Sequence, residues 1–328
     1  MNKPNGGSSA HCTTTVDSCY LSLVGFLLHP HSHERPTVNS LPIGLVFVST
    51  FLHAGWNLLA RAERREHTFF LRSLSVIVAV GLVPAALAML RLPPLTAGAV
   101  LCALISGCFC GVYYFGLARA YNAGDFTVVY PIARALPVIL VGLGDVARGR
   151  VLTPAGWLGM SLVAGACMFI PLQSVRQFSL QLYFNRTTMW AVLTALATVG
   201  YTLVDKFAAE AVHNSPSFAA LYGYMFFCSS AAVYVVCLSL FGRPPEDAEQ
   251  VGWQHPALAG VFNYAAYWLV LWAYQLAQQA GYVVAFRQFS IVVGVAIAAV
   301  WFHEKGAVIR LIAACVMVIG LALIGLYG

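Results

Sequence analysis

The sequence predicts an all-α membrane protein with ten transmembrane helices in two inverted five-helix repeats. Three observations predict it. First, 60% of the residues are hydrophobic and only 9% are charged, with a mean hydropathy of +0.77, whereas soluble domains carry roughly 25% charge. Second, from Leu41 onward the chain divides into apolar stretches of 17 to 23 residues. A helix of about 20 apolar residues crosses the ~30 Å hydrocarbon core of a bilayer. Third, the two halves of the chain echo one another.

Residues 1–40 form a polar lead-in, read as a disordered tail. Its apolar run Tyr20 to Leu28 is too short to span, and His29, His31 and His33 alternate around Pro30 and Ser32, a pattern that suggests a metal clip against the plainer reading of a disordered tail or an over-extended start. The expected spans are then 41–60, 70–90, 95–117, 126–146 and 156–172, followed by a linker at 173–187 and by 188–207, 219–241, 257–276, 283–302 and 308–327. The first carries His53-Ala54-Gly55-Trp56-Asn57, placing His53 and Asn57 on one face. The second and fifth are plain apolar runs. The third carries Gly107 and Gly111, a close-packing step for a neighbouring helix. The fourth holds Arg134 between Pro131 and Pro137, and Tyr130 shares that face. An arginine inside a span is expensive and normally faces a bundle interior or a wet cavity, where freed backbone carbonyls are also tolerated. The sixth carries the stripe Thr198, Tyr201, Thr202 and Asp205, and the third, seventh and eighth are rich in aromatics, including Tyr114, Tyr222 and Tyr267. The ninth opens on Arg287, Gln288 and Ser290 and continues with the small pair Gly294 and Ala298; the tenth is a small-residue helix.

The repeat is read from two echoes. Gly55-Trp56-Asn57-Leu58-Leu59-Ala60-Arg61 recurs 145 residues later as Gly200-Tyr201-Thr202-Leu203-Val204-Asp205-Lys206. Arg134 in span four is answered by Arg287 in span nine. Two echoes at nearly one offset indicate duplication. Because five is odd, the second half runs opposite to the first, and inverted repeats of this kind place a substrate site near the midplane where they meet.

On the first-span segment, the Gly200 to Lys206 segment and the Glu304-Lys305 turn leading into Leu311 to Gly325, the chain resembles the drug/metabolite transporter superfamily, EamA type. The resemblance covers about residues 41 to 327 as repeats 41–172 and 188–328, and implies a carrier in the cell's cytoplasmic membrane. Its first-half turn reads Arg148-Gly149-Arg150 and lacks the glutamate common at that place. Basic residues in the connections favour an external amino terminus, whereas the resemblance implies that both termini are cytoplasmic.

The polar residues within spans are the candidate site. Arg134 and Arg287 are substrate anchors or ion-pair partners, and a guanidinium suits a carboxylate or phosphate in two-pronged fashion. Gln288, Tyr130, Asn57, Trp56, Tyr201, Tyr114 and Tyr267 are expected around the substrate. The aromatics argue the other way on charge, since a cage of rings favours a cation. His53 serves either as an interhelical hydrogen bond or as a proton carrier, and Asp205 either pairs with Lys206 at a span end or relays a proton.

The expected partners are a small-molecule substrate and the bilayer, with monomer and homodimer both open. No basic block suggests nucleic acid. The nine cysteines include no CxxC pair, so neither zinc nor disulfides are expected, and nothing calls for a cofactor. Without a GxxxxGK[ST] loop there is no ATP site, which leaves gradient-driven transport or exchange. Two rival classes are a non-transporting receptor or accessory subunit, for which the chain lacks a sizeable exposed domain, and a lipid-modifying enzyme, for which it lacks clustered acids or a nucleophile with its base.

Overall fold

A computed structural model describes residues 40–62, 66–123, 126–172, 186–242, 252–301 and 307–328. The tail and the linker core at 173–185 lie outside the described residues. Among the described residues the regular structure is entirely helical: α1 (Ser40–Ala62), α2 (Glu66–Met89), α3 (Ala97–Ala123), α4 (Phe126–Ala147), α5 (Pro154–Phe169), α6 (Arg186–Glu210), α7 (Pro216–Phe241), α8 (Gln254–Leu276), α9 (Ala280–Arg287), α10 (Phe289–Trp301) and α11 (Ala307–Tyr327). Each expected span has its helix. Eight crossings are long and apolar enough on their own, with α9 and α10 together supplying Ala280–Ile297. To these are added α4, which carries Arg134 and two prolines, and α5, of 16 residues.

The ninth span departs from expectation. It is two helices joined at Gln288, where the backbone tightens through Gln288 N–H to Ala285 O (3.0 Å) and Ile291 N–H to Gln288 O (2.8 Å). In α4 the opposite holds: Pro131 and Pro137 both lie inside one continuous helix. Proline has no N–H, so the Ala133 carbonyl loses its helical donor at Pro137. Both residues line a cavity, where such a carbonyl can be met.

The helices pack mostly across the halves rather than within them. Helix α3 lies against α6 and α7, and its counterpart α8 lies against α1 and α2. Helix α4 packs on α6 and α5, while α9 and α10 pack on α1 and α11; α2 meets α7, α5 meets α11, and α4 meets α9. Exchanging the two halves maps this list of neighbours onto itself, as a two-fold relation between inverted repeats requires.

Close approach explains two glycine sites. A Cβ on Gly107 would lie 2.5 Å from the Phe226 carbonyl oxygen, so the α3–α7 crossing needs the glycine. Gly159 of α5 and Gly320 of α11 face each other in the same manner, each Cβ falling 2.5 to 2.6 Å from the other's carbonyl oxygen. By contrast, a Cβ on Gly294 would meet nothing within 4 Å among the described residues.

Connections start where their sequences say. Thr153 accepts from Gly156 N–H (2.9 Å) ahead of Pro154, and Ser215 accepts from Phe218 N–H (3.2 Å) ahead of Pro216. These are side-chain caps with proline pre-set in the first turn. The ends of α4, α6, α8 and α11 and the starts of α1, α5, α7 and α9 share one side, called here the terminal side because residues 40 and 328 both lie on it. Contacts of Thr153 with the Tyr327 carbonyl (2.7 Å) and of Arg148 with Glu210 (2.6 Å) tie that side together.

Candidate functional site

A cavity opens where α1, α3, α4, α6 and α9 cross. Arg134 enters it from α4 and Arg287 from the end of α9. His53, Tyr113, Thr198, Tyr201 and Gln288 supply the other polar lining, and Leu117, Ala133, Pro137 and Val284 the apolar part. No Asp or Glu lies among these described lining residues. Two cations therefore face one hollow with no acid in its wall.

Arg134 is held from α1. Its Nη1 lies 2.9 Å from His53 Nε2, and its Nη2 donates to Asn57 Oδ1 at 3.1 Å. Asn57 in turn donates to the His53 carbonyl (2.6 Å), and Trp56 Nε1 donates to His53 Nδ1 (3.0 Å). The histidine thus meets an obligate donor at each ring nitrogen, although a neutral imidazole accepts at only one of them. An anion that drew the Arg134 guanidinium towards itself would remove this conflict.

Arg287 is held differently. Its guanidinium carbon lies 5.6 Å from the centre of the Tyr267 ring, within cation–π range. The Tyr267 ring stacks on Phe226 at 4.7 Å, and its hydroxyl donates to Asp205 Oδ2. Asp205, 1% exposed, also accepts at Oδ1 from Ser106 and from Tyr222 (2.8 Å). Three hydroxyls from α3, α7 and α8 therefore satisfy a carboxyl that is removed from water, as burial of such a group requires.

Several expectations are corrected by this geometry. Asp205 does not pair with Lys206, because consecutive helix residues point in different directions. Lys206 instead turns to the terminal side, donating to the Tyr274 and Ala277 carbonyls (3.0 and 2.6 Å) and lying 3.4 Å from Glu210. Tyr114 is not a cavity residue: it accepts from Asn263 (2.6 Å) and packs among Phe70 and Tyr234, while the adjacent Tyr113 takes the lining position. Tyr267 and Trp56 stand one layer behind the wall, and the Tyr130 side chain lies outside the described residues. Arg134, Arg287, Gln288, Tyr201 and His53 line one cavity, with Asn57 bonded to Arg134.

The terminal side below the cavity is fastened between the halves. Glu210 at the end of α6 lies 2.6 Å from Arg148, 3.2 Å from Arg150 and 3.4 Å from Lys206. Asp145 accepts from the Gly281 N–H (2.6 Å) at the start of α9, and Gln279 donates to the Val151 carbonyl (3.1 Å). An anionic cap at a helix start is favourable on charge alone. The acid that faces the Arg148-Gly149-Arg150 turn is thus Glu210 of the other repeat. Sequence reading had no means to find Glu210, since its partner Arg148 lies 62 positions away.

An all-helical bundle of crossings with a cationic cavity among them is the architecture of a polytopic membrane protein. Residues 186–326 match the EamA-like transporter family. The chain thus carries an EamA-like transporter domain in its second half, in agreement with the drug/metabolite transporter superfamily. A solved structure described as "Crystal structure of protein" is 19% identical, with a TM-score of 0.66, covering 89% of this chain and 100% of its own. At that identity the likeness concerns the fold alone. No curated protein matches the sequence.

Proposed function

We propose that the protein is a secondary transporter or exchanger that carries a small, polar, anionic metabolite across the cytoplasmic membrane by alternating access. The observation that carries this reading is the convergence of Arg134 and Arg287, from equivalent helices of the two repeats, on one cavity whose described lining holds no acid. Two guanidinium groups in a low-dielectric hollow favour a carboxylate or phosphate. Gln288, whose Oε1 is buried without a hydrogen-bond partner among the described residues, offers such a substrate a neutral contact beside the charge. The aromatic argument for a cation weakens here, because Tyr267 spends its ring face on Arg287 and Tyr114 lies in the core.

The terminal-side fastening supports the alternating part of the reading. With Glu210, Arg148, Arg150 and Lys206 joined beneath the site, passage towards that side requires the halves to part there. Rocking of one repeat against the other around a fixed site is the usual motion of inverted-repeat carriers.

The test is a thermal-shift screen of the purified chain against amino acids, sugars, phosphorylated metabolites and quaternary amines, followed by uptake of each hit into sealed vesicles. Arg134→Gln and Arg287→Gln are each expected to weaken an anionic hit by about 100-fold, the effect of removing a charged partner worth ~3 kcal/mol. An anion whose affinity survives both changes, or hits confined to quaternary amines, would overturn the reading.

A further inference from the structure

Asp205 and Arg287 are opposite charges within one layer of each other, yet they do not form an ion pair. Among the described residues Arg287 makes neither an ion pair nor a hydrogen bond, and its contact is the face of Tyr267. The same tyrosine ends on Asp205, donating its hydroxyl to Oδ2, while Ser106 and Tyr222 fill Oδ1. Tyr267 thus stands between the cation and the carboxyl and satisfies both, the first with its ring and the second with its O–H.

From this arrangement we propose that Tyr267 is a spacer whose role is to keep Arg287 from collapsing onto Asp205, so that the guanidinium stays in the cavity and available to an anion. A buried carboxylate that loses a donor draws in the nearest cation. Without Tyr267 that cation is Arg287, and an Arg287–Asp205 pair would withdraw one of the two positive charges from the site. Phe226, stacked on the ring at 4.7 Å, and Tyr201, edge-on at 6.0 Å, fix the spacer in place. Tyr267 is accordingly a positioning residue, acting on substrate through Arg287. The inference rests on the anion-binding reading for its purpose, and its test is arranged so that the two can fail separately.

The experiment measures arginine modification by phenylglyoxal in the purified full chain, with Arg287 and Arg134 followed individually by peptide mass spectrometry. Arg134 shares the cavity but not the tyrosine, and serves as the internal standard. In Tyr267→Leu the Arg287 rate is expected to fall about tenfold or more, the population shift that a new charge-assisted bond of ~1.5–3 kcal/mol produces, while Arg134 stays within about twofold. Adding Asp205→Asn to Tyr267→Leu removes the attracting charge and is expected to restore the Arg287 rate, a rescue that a purely structural role for the ring would not give. If Tyr267→Leu does not fold, Tyr267→Met, which fills more of the space but has no ring, carries the same test with the same expected fall. An Arg287 rate that is unchanged or raised, a fall shared equally by Arg134, or a double variant that fails to recover would overturn the spacer. Protection of the wild-type arginines by inorganic phosphate or succinate is the separate arm: its absence removes the anion reading and leaves the spacer standing.

Discussion

Replacing Glu210 by glutamine should open the terminal side. Glu210 answers three cations at 2.6, 3.2 and 3.4 Å, two from the α4–α5 turn of the first half and Lys206 from its own helix. Breaking a buried pair from one side costs about 3–5 kcal/mol, whereas a fully exposed pair contributes about 0–1 kcal/mol. The side chains here keep between 3% and 27% of their exposure, so ~2–3 kcal/mol is the reasonable figure. Once the carboxylate is neutral, Arg148, Arg150 and Lys206 also repel one another, which acts in the same direction. If the fastening exists only while that side is closed, its loss shifts the balance between closed and open by roughly 30- to 150-fold. The assay is a single reporter, Ala133→Cys in the cavity wall, in a chain whose nine native cysteines are replaced, labelled by an impermeant maleimide from each face of oriented vesicles. Glu210→Gln should raise terminal-side labelling at least about tenfold. Unchanged terminal-side labelling in a variant that melts like its parent refutes the fastening as a gate.

Two further outcomes follow from distances already given. Gly107→Leu, whose Cβ alone would lie 2.5 Å from the Phe226 carbonyl oxygen, should separate α3 from α7 and lower the melting temperature by an amount equivalent to about 1–3 kcal/mol or more; an unaltered melting curve contradicts the crossing. Asn57→Ala removes the Oδ1 acceptor of Arg134 (3.1 Å), and should raise KM for an anionic substrate about three- to tenfold with a smaller change in kcat, the mark of a residue that orients a binding group. A kcat loss with KM untouched would assign Asn57 to the conformational cycle instead.

Much of the fold was legible because lipid leaves few options. Apolar runs of one length can only be crossing helices, and a charge inside such a run, as at Arg134 and Arg287, is conspicuous in a way that no surface arginine is. The break at Gln288 was not legible, since neither proline nor glycine marks it and it is made by backbone tightening. The partners of Asp205 were not legible, because its neighbour in sequence is a lysine while its neighbours in space come from α3, α7 and α8. Tyr113 and Tyr114 illustrate a limit of periodicity. Both fall in one aromatic stretch, and which of them meets the hollow depends on where α4, α6 and α9 lie around α3. Glu210 was invisible for the same reason, being the charge partner of a turn in the other repeat.

The exchange of neighbours between halves bears on how the chain matures in a bilayer. The hydroxyls of Ser49, Ser73 and Ser106 belong to the first five crossings, yet their acceptors are the carbonyls of Ala266, Pro256 and Tyr201 and the carboxyl of Asp205. While synthesis is still at α5, these groups are inserted in lipid without their eventual partners, and α1 and α3 have yet to meet α8 and α6. The early intermediate is therefore a loose raft of helices that later arrivals must thread between, and a truncated half should be a substrate for quality-control proteolysis rather than a stable domain.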